Sequence, residues 1–230
     1  MDEDVHTYAG EDIEVSYDVL RCTHARACVE QLPEVFEPDQ RPWIDPDDAD
    51  VDDLAGVIME CPTGALQFER RDGGAAEPTP EDNTVTVVPD GPLHIRGDVR
   101  ITDPEGKTVL EDTRVALCRC GASGNEPLCD DSHVDVDFQA DGRVVDDDFQ
   151  PDEDVVDDRD RADGDPVDGV LRVRPRPGGP LALDGAFEIR GTSPESGVRG
   201  SETALCRCGA SENKPFCDGA HTEVGSSDDD

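Results

Sequence analysis

The sequence predicts an α+β protein built from three small domains, and two observations lead to this fold class. The segment from Gly91 to His133 returns without a gap as the segment from Gly179 to His221, with identical residues at 18 of 43 aligned positions. In both copies, runs of alternating β-branched residues are bounded by Gly and Pro residues, which is typical of short strands. The chain before the repeat mixes strand patterns with helical spacing, so we expect most of the helix there.

The duplication also sets the expected domain boundaries. These are a first domain at residues 1–71, a linker at 72–82, a first copy at 83–133, an acidic linker at 134–169, a second copy at 170–222 and an acidic tail at 223–230. Both linkers are rich in Gly, Pro or acidic residues, as solvated connections are.

The elements of the first domain follow in chain order. "DIEVSYD" (12–18) alternates like a strand, and "ACVEQLPEVF" (27–36) predicts a short helix that ends near Pro33. "DADVDDLAGVIME" (48–60) carries apolar residues at helical spacing behind a group of acids, which favour a helix N-terminus. "ALQFER" (65–70) predicts a second strand.

Each copy of the repeat predicts four short strands ahead of its cysteine-rich end. In the first copy they are "TVTVV" (84–88), "PLHI" (92–95), "VRI" (99–101) and "RVALC" (114–118), and in the second "VLRVR" (170–174), "PLAL" (180–183), "FEI" (187–189) and "TALC" (203–206). Gly and Pro residues bound these runs.

The composition indicates small cores that need a staple. Hydrophobic residues make up 34% of the chain and aromatic residues 4%, and domains of about 50–70 residues with so little apolar surface usually need disulfides or metals. The nine cysteines are an odd number, which counts against a closed disulfide framework. No long apolar stretch occurs and the N-terminus is acidic, so we expect a soluble cytoplasmic protein without a membrane partner, in which cysteines serve as ligands.

The charge is strongly negative. The formal net charge is -37, and only Lys107 and Lys214 among the 20 basic residues are lysines. Concentrated salt shortens the range of such self-repulsion, so the charge predicts a halophilic protein from a salt-rich cytoplasm. It also argues against nucleic acid as a partner, because nucleic-acid binding requires a basic surface.

Each copy ends in three cysteines and one histidine within sixteen residues, "CRCGASGNEPLCDDSH" (118–133) and "CRCGASENKPFCDGAH" (206–221). The first two cysteines lie two apart at a strand end, so their side chains point to the same side. The third cysteine and the histidine lie four apart and would share a face on one helical turn, with Pro127 or Pro215 near its start. Each motif thus offers two chelating pairs, which fit either a two-iron cluster or one tetrahedral zinc ion.

The pattern C-x-C-x2-S-x3-P-x-C-D-G-A-H of the second motif resembles the CDGSH iron–sulfur domain of the mitoNEET type, and the first motif departs from it by Asp131 in place of Gly. The resemblance implies a [2Fe-2S] cluster in each motif, and pairing of two domains through a swapped β-cap. The duplication would then form an intramolecular pseudo-dimer in a monomeric chain. The implied ligands are Cys118, Cys120, Cys129 and His133 in the first motif and Cys206, Cys208, Cys217 and His221 in the second.

The remaining cysteines are Cys22, Cys28 and Cys61. "CTHARACVEQLPEVF" followed by "ECPTGALQF" resembles the single-cluster bacterial ferredoxins, including those that feed cytochromes P450. The resemblance implies a ferredoxin-like domain with a cluster on these three cysteines. Ala25 stands where a fourth ligand would be, so three thiolates suit a [3Fe-4S] cluster, while His24 beside the vacant position leaves a [4Fe-4S] cluster open.

Three clusters, without a catalytic triad or phosphate loop, predict an electron-transfer protein that is not itself an enzyme, with redox proteins as partners. The alternative is storage or delivery of [2Fe-2S] clusters to apo-proteins, or redox sensing. A minor alternative is a zinc-stapled structural protein. Arg119 and Arg207, inside each "CRC", are interpreted either as partner-docking or potential-tuning residues or as surface counter-charges, and His94 has no clustered partner in the sequence.

Overall fold

A computed structural model describes residues 4–144, 169–192 and 197–224 of the 230-residue chain. The chain divides into two compact units, Met1–Thr79 and Pro80–Asp230. Most of the predicted acidic linker, at 145–168, and the end of the tail, at 225–230, lie outside the described residues.

The first unit is a three-stranded antiparallel sheet with two helices. The strands pair in the order β1-β2-β3, with β2 in the centre. The elements are β1 (Val5–Ala9), β2 (Ile13–Asp18), α1 (Ala27–Gln31), α2 (Val51–Met59) and β3 (Leu66–Arg70), with 3-10 turns at Val19–Arg21 and Pro46–Asp48. The two strands and two helices predicted from the sequence are present, and β1 is an additional strand.

Helix α2 supplies the apolar face that packs in this unit. It begins after Asp50, whose side chain accepts a hydrogen bond of 2.9 Å from the amide of Asp52, and such an N-cap is worth about 1 kcal/mol. Leu54 and Ile58, one helical turn apart, are fully buried in a cluster with Ile13 and Val15 of β2. The helix thereby fixes the position of the chain that follows it, where Cys61 lies.

The second unit holds both copies of the repeat in one six-stranded sheet. Its elements are β4 (Thr84–Val87), β5 (Leu93–Thr102), β6 (Thr108–Leu117), α3 (Ser132–Asp135), β7 (Leu171–Pro175), β8 (Leu181–Arg190), β9 (Gly197–Leu205) and α4 (His221–Val224). The two middle strands predicted in each copy form one long strand, β5 or β8, with a shift of register after Arg96 and after Asp184. Across the described residues the protein is mostly β-strand, with few and short helices.

The copies are joined by reciprocal strand pairing. Strand β4 pairs antiparallel with β5 of its own copy and parallel with β8 of the other copy, and β7 pairs antiparallel with β8 and parallel with β5. Val85 thus lies between Ile95 and Ile189, all of them buried. The Asn83 amide adds a polar link, because its Nδ2 donates to the carbonyls of Gly169 and Ala186 while its Oδ1 accepts from Asp98 N. The two copies therefore share one core.

Residues 134–144, which their acidity assigned to a linker, continue to contact the first copy. The amide of Ala140 donates to Asp90 Oδ1 at 2.8 Å, and Asp90 N donates to the Ala140 carbonyl at 2.8 Å. Val144 is buried in the core of the second unit. Burial of this single apolar residue adds to the contacts that hold the acidic segment to the sheet.

Candidate metal centres

The four predicted ligands of the first motif stand as two close pairs. Cys118 directly follows the end of β6, and its Sγ lies 3.6 Å from Cys120 Sγ. Cys129 Sγ lies 3.5 Å from Nδ1 of His133. Two thiolates about 2.3 Å from one tetrahedral metal would be about 3.8 Å apart, and a thiolate and an imidazole nitrogen about 3.5 Å. Each pair therefore has the spacing that chelates one metal.

The second motif repeats this arrangement. Cys206 Sγ and Cys208 Sγ are 3.9 Å apart, and Cys217 Sγ and His221 Nδ1 are 3.3 Å apart. Among the described residues, no three His, Cys, Asp or Glu side chains are gathered closely enough to hold one ion, so the chelating units of the structure are pairs.

Backbone hydrogen bonds hold the two pairs of each motif beside each other. Cys118 N donates to the Pro127 carbonyl at 2.9 Å, and Cys129 N donates to Ala116 O at 2.9 Å. The Ser123 hydroxyl donates to Leu128 O and accepts from Asn125 N. The second copy makes the equivalent bonds, which explains why the same Ser stands between the cysteines of both motifs.

The helical turn expected to carry Cys129 with His133, and Cys217 with His221, is absent, and this expectation was wrong. Helix α3 begins at Ser132 and α4 at His221, so the cysteine of each pair lies ahead of the helix. Between them, Asp131 (φ 78°) and Gly219 (φ 90°) adopt left-handed backbone, which no right-handed helix contains. Asp is among the residues that tolerate this conformation, so the departure at Asp131 preserves the turn.

The thiols must lose protons before they bind metal. A hydrogen bond with Cys120 lowers the pKa of Cys118 to about 6 and raises that of Cys120, because the two sulfurs share one proton. Burial raises the pKa of Cys129 and of Cys206 to about 11. Metal binding at either motif is therefore coupled to proton release.

The two "CRC" loops pack against each other, backbone to backbone. A Cβ at Gly121 (φ 75°) would lie 2.9 Å from the carbonyl oxygen of Cys208, and one at Gly209 (φ 76°) would lie 2.6 Å from that of Cys120. Only glycine combines this backbone conformation with such close approach. The first cysteine pairs of both motifs are thus neighbours across the contact between the copies.

The arginine of the first "CRC" loop, Arg119, is not a surface counter-charge. Arg119 is 1% exposed, its Nε donates to Gly91 O at 2.9 Å, and its guanidinium lies 5.3 Å from the centre of the Phe138 ring. Burial lowers the pKa of Arg119, while the thiol of Cys206 in the other copy favours its charged form. Arg207 makes the equivalent bond to Gly179 O at 3.2 Å.

The three cysteines of the first unit line one cavity. Ala25, the residue at the vacant ligand position, also lines it. The full lining is Tyr17, Cys22, Thr23, Ala25, Arg26, Ala27, Cys28, Trp43, Cys61, Pro62, Thr63, Ala65 and Leu66. Burial raises the pKa of the Cys28 thiol, so this site too binds metal with release of protons.

The walls of this cavity are partly aromatic. Trp43 packs edge-on against Tyr17, with ring centroids 4.9 Å apart. Burial and a hydrogen bond with Cys22 raise the pKa of the Tyr17 hydroxyl. His24 is exposed and does not line the cavity, although its neighbour Ala25 does. The described geometry thus offers three thiols and an apolar methyl group.

Comparison with known families agrees with these sites. A family model described as "Divergent 4Fe-4S mono-cluster" matches residues 8–71, and one described as "Iron-binding zinc finger CDGSH type" matches residues 90–134 and 178–222. The chain therefore belongs to the divergent 4Fe-4S mono-cluster family and carries two CDGSH domains. Both resemblances predicted from the sequence are confirmed, and together they support iron–sulfur binding.

The mono-cluster domain also matches two curated proteins over nearly the whole length of those proteins. The "Uncharacterized protein YjdI" of Escherichia coli K12 and that of Escherichia coli O157:H7 are each 35% identical over 71 residues, which cover 31% of this chain and 93% of the relative. No solved structure matches the chain. In the part of the chain that the structure describes, no helix has the length and apolarity to span a bilayer.

Three residues beside the CDGSH ligands make contacts that the sequence reasoning did not predict. Burial, and the proximity of His133, lower the pKa of His94 to about 4; the 39 positions between the two histidines hide this neighbourhood. Glu126 Oε2 lies 3.1 Å from Arg207 Nη1, and Asp131 Oδ1 lies 3.5 Å from His133 Nε2. For these two, a signal was present, because they differ in charge from their counterparts in the repeat.

Proposed function

We propose that the protein transfers electrons through two [2Fe-2S] clusters, each held by three cysteines and one histidine, and one ferredoxin-type cluster. The observation that carries the proposal is the pairing of ligands in each CDGSH motif, at 3.6 and 3.5 Å in the first and 3.9 and 3.3 Å in the second. Each chelating pair would bind one iron of a two-iron cluster. In the mono-cluster domain, three thiols at one cavity favour a [3Fe-4S] cluster.

The arrangement of the copies supports electron transfer within the chain. We infer an intramolecular pseudo-dimer in a monomeric α+β protein, because β4 and β7 each pair with strands of both copies. The contact of Gly121 with Cys208 brings the two metal sites to one interface. The chain itself is not an enzyme in this proposal, and its partners are redox proteins of a salt-rich cytoplasm rather than nucleic acid or membranes.

The histidine ligands set the expected range of potentials. Neutral imidazole in place of thiolate removes one negative charge from each site, which favours the addition of an electron. We therefore expect both CDGSH sites to be reduced more readily than an all-cysteine ferredoxin site, in the direction of the histidine-ligated Rieske centres.

One observation favours the second candidate function, the delivery of [2Fe-2S] clusters to apo-proteins. His133 and His221, in the short helices α3 and α4, are half-buried, and the side chain of His133 is 14% exposed. The cysteines Cys118 and Cys206 are buried. Release of a cluster would therefore begin at the histidine side.

The decisive experiment measures iron, zinc and acid-labile sulfide per chain in protein purified without oxygen in concentrated salt. About seven irons and eight sulfides correspond to one [3Fe-4S] and two [2Fe-2S] clusters, and about eight of each to a [4Fe-4S] cluster in the first domain. Zinc without sulfide would overturn the proposal in favour of a structural metal protein.

Electron transfer and cluster delivery are then separated by incubation with an apo-ferredoxin. Electron transfer predicts reversible reduction of all clusters with iron and sulfide retained. Delivery predicts transfer of cluster to the apo-ferredoxin, and the double variant His133→Cys with His221→Cys should suppress it, because thiolate holds iron more tightly. Transfer at the unchanged rate in this variant would contradict delivery from the histidine side.

A further inference from the structure

The sixteen-residue motifs of the two CDGSH domains differ in charge at three positions. Glu126 of the first motif corresponds to Lys214 of the second, Asp131 corresponds to Gly219, and Gly124 corresponds to Glu212. Glu212 is exposed, whereas Glu126 and Asp131 contact Arg207 and His133 and place negative charge in the first motif. Because an added electron is itself a negative charge, these residues bear directly on which site accepts it.

Asp131 acts on the histidine of the first motif. His133 turns Nδ1 towards Cys129, and its other ring nitrogen, Nε2, lies 3.5 Å from Asp131 Oδ1. A carboxylate beside the outer nitrogen of a metal-bound imidazole makes it a more basic ligand. Gly219 has no side chain to place beside His221, so the second motif lacks this effect.

Glu126 acts on the arginine of the opposite "CRC" loop. Its Oε2 lies 3.1 Å from Arg207 Nη1, with the two side chains 23% and 10% exposed. Partly buried pairs are screened only weakly by salt, so the pair persists in concentrated salt. The positive charge of Arg207, in the loop that packs on Gly121, is therefore balanced at short range.

Arg119 has no such carboxylate. In the described ranges, its side chain donates to carbonyl oxygens, including those of Gly91 and Val88, and no acid lies within ion-pair distance. The Asp141 carbonyl accepts from Arg119 Nη1 at 3.5 Å, while the carboxylates of Asp90 and Asp141, both exposed residues, act on it only from a distance. The position of Glu126 is taken in the second motif by Lys214, whose Nζ donates to Ser211 O. A buried cation without a close carboxylate thus acts on Cys206 of the second site more strongly than on Cys120 of its own loop.

We propose that the two CDGSH clusters are electrically non-equivalent, with the second the higher-potential site and Glu126, Asp131 and Lys214 the residues that set the difference. The inference rests on the proposed function. With both sites oxidised, a single electron from a one-electron donor resides mainly at the second site. An electron that enters at the first site passes on to the second site. The first site is then oxidised again and the second site is reduced.

The test is a reductive titration of the full-length protein in concentrated salt, with a low-potential one-electron reductant and electron paramagnetic resonance detection. We expect two separate one-electron steps for the CDGSH pair, with at least a tenfold preference for the second site, which is about 59 mV for one electron. The reduction step of the mono-cluster domain is recognised because its midpoint potential should stay the same in all the variants below.

Charge variants assign the steps. Glu126→Gln, which removes this carboxylate from Arg207, and Asp131→Asn should each raise the lower midpoint by more than the upper one. Lys214→Glu, which offers Arg119 a carboxylate, should lower the upper midpoint. The matched controls are Glu105→Gln and Lys107→Glu in the exposed turn between β5 and β6, since β6 places that turn about 30 Å from Cys118.

The outcomes separate this inference from the proposed function. Absence of sulfide and iron would overturn both. Clusters in full number with one common midpoint for the CDGSH pair would overturn only the non-equivalence, as would a lower midpoint that Glu126→Gln and Asp131→Asn fail to raise. Shifts of equal size in the controls would show that overall charge, rather than these residues, sets the potentials.

Discussion

The mono-cluster domain and the CDGSH domains collect their ligands in different ways. In the first, Cys22 lies between β2 and α1, Cys28 lies in the first turn of α1, and Cys61 follows α2, so the cavity exists only when α2 packs on the sheet. In the second, all four ligands come from sixteen residues at a strand end. A site assembled by tertiary packing should therefore fail when packing fails, whereas a site assembled locally should survive changes elsewhere.

The donor atoms differ as well. The mono-cluster cavity presents thiols only, and each CDGSH motif presents three thiols and one imidazole. Thiolates give low potentials and firm binding, while imidazole exchanges with protons near neutral pH. The four predictions below test these two contrasts.

The largest effect is expected from removal of one thiol of the mono-cluster cavity. Cys61→Ser leaves two ligands there, so that cluster should be lost completely, with a fall of about three irons per chain. The CDGSH sites should keep about four. The matched variant Cys217→Ser should remove about two irons and spare the mono-cluster domain. Iron and sulfide analysis checks both, and loss of every cluster in either variant would refute independent sites.

Acid should separate the two kinds of site next. Protons compete with iron for His133 and His221, so visible absorbance from the CDGSH sites should bleach as the pH falls below about 6, and persist above it. The mono-cluster signal should outlast it. In the double variant His133→Cys with His221→Cys, the bleaching should move to lower pH. Equal absorbance after long incubation at pH 5 and pH 8 would contradict this expectation.

A core substitution in α2 should affect only the site that depends on packing. Leu54 is fully buried, and Leu54→Ala should cost about 2–5 kcal/mol of stability of the first unit. The mono-cluster signal should then be lost at a lower temperature, with the CDGSH absorbance unchanged. Asp53→Ala, on the exposed side of the same helix, is the control. Equal thermal loss from both kinds of site in Leu54→Ala would contradict the distinction.

The smallest effect is expected at the contact between the CDGSH loops. In Gly121→Ala, the new Cβ is attached to a left-handed backbone and would lie 2.9 Å from the Cys208 backbone. In Gly106→Ala, the backbone has a similar φ of 86°, but no atom lies within 4 Å of the new Cβ. The first should therefore cost about 1–3 kcal/mol more than the second. The temperature at which CDGSH absorbance is lost measures this. Equal shifts would mean that the loops do not press on each other.

The sequence predicted most of what is local. Strand alternation located β2, β3 and the strands of the repeat, and the sixteen-residue motifs identified the ligand pairs, because ligands and their spacing lie together in the chain. The ends of the helices were predicted less well. The helical turn predicted at Cys129 was wrong because Asp131, which has a left-handed backbone, interrupts it. Composition also assigned residues 134–144 to a linker although Val144 is buried.

Features formed by distant residues could not be predicted in this way. The burial of Arg119 depends on carbonyls of Val88 and Gly91, about thirty positions away, and on the Phe138 ring. The pair of Glu126 with Arg207 joins the two copies. From the sequence alone, a charged residue is expected to be exposed to solvent. Arg119 is buried only because the two copies fold into one shared sheet.

The reciprocal pairing of strands has a consequence for biosynthesis. Strand β4 needs β8 along one edge, and β8 is made roughly 90 residues later. At about 5–20 residues per second, the ribosome takes roughly five to twenty seconds to reach it. During this time the first copy carries open strand edges, which invite pairing with other chains. The shared sheet of the two copies is thus expected to close only after the second copy has emerged.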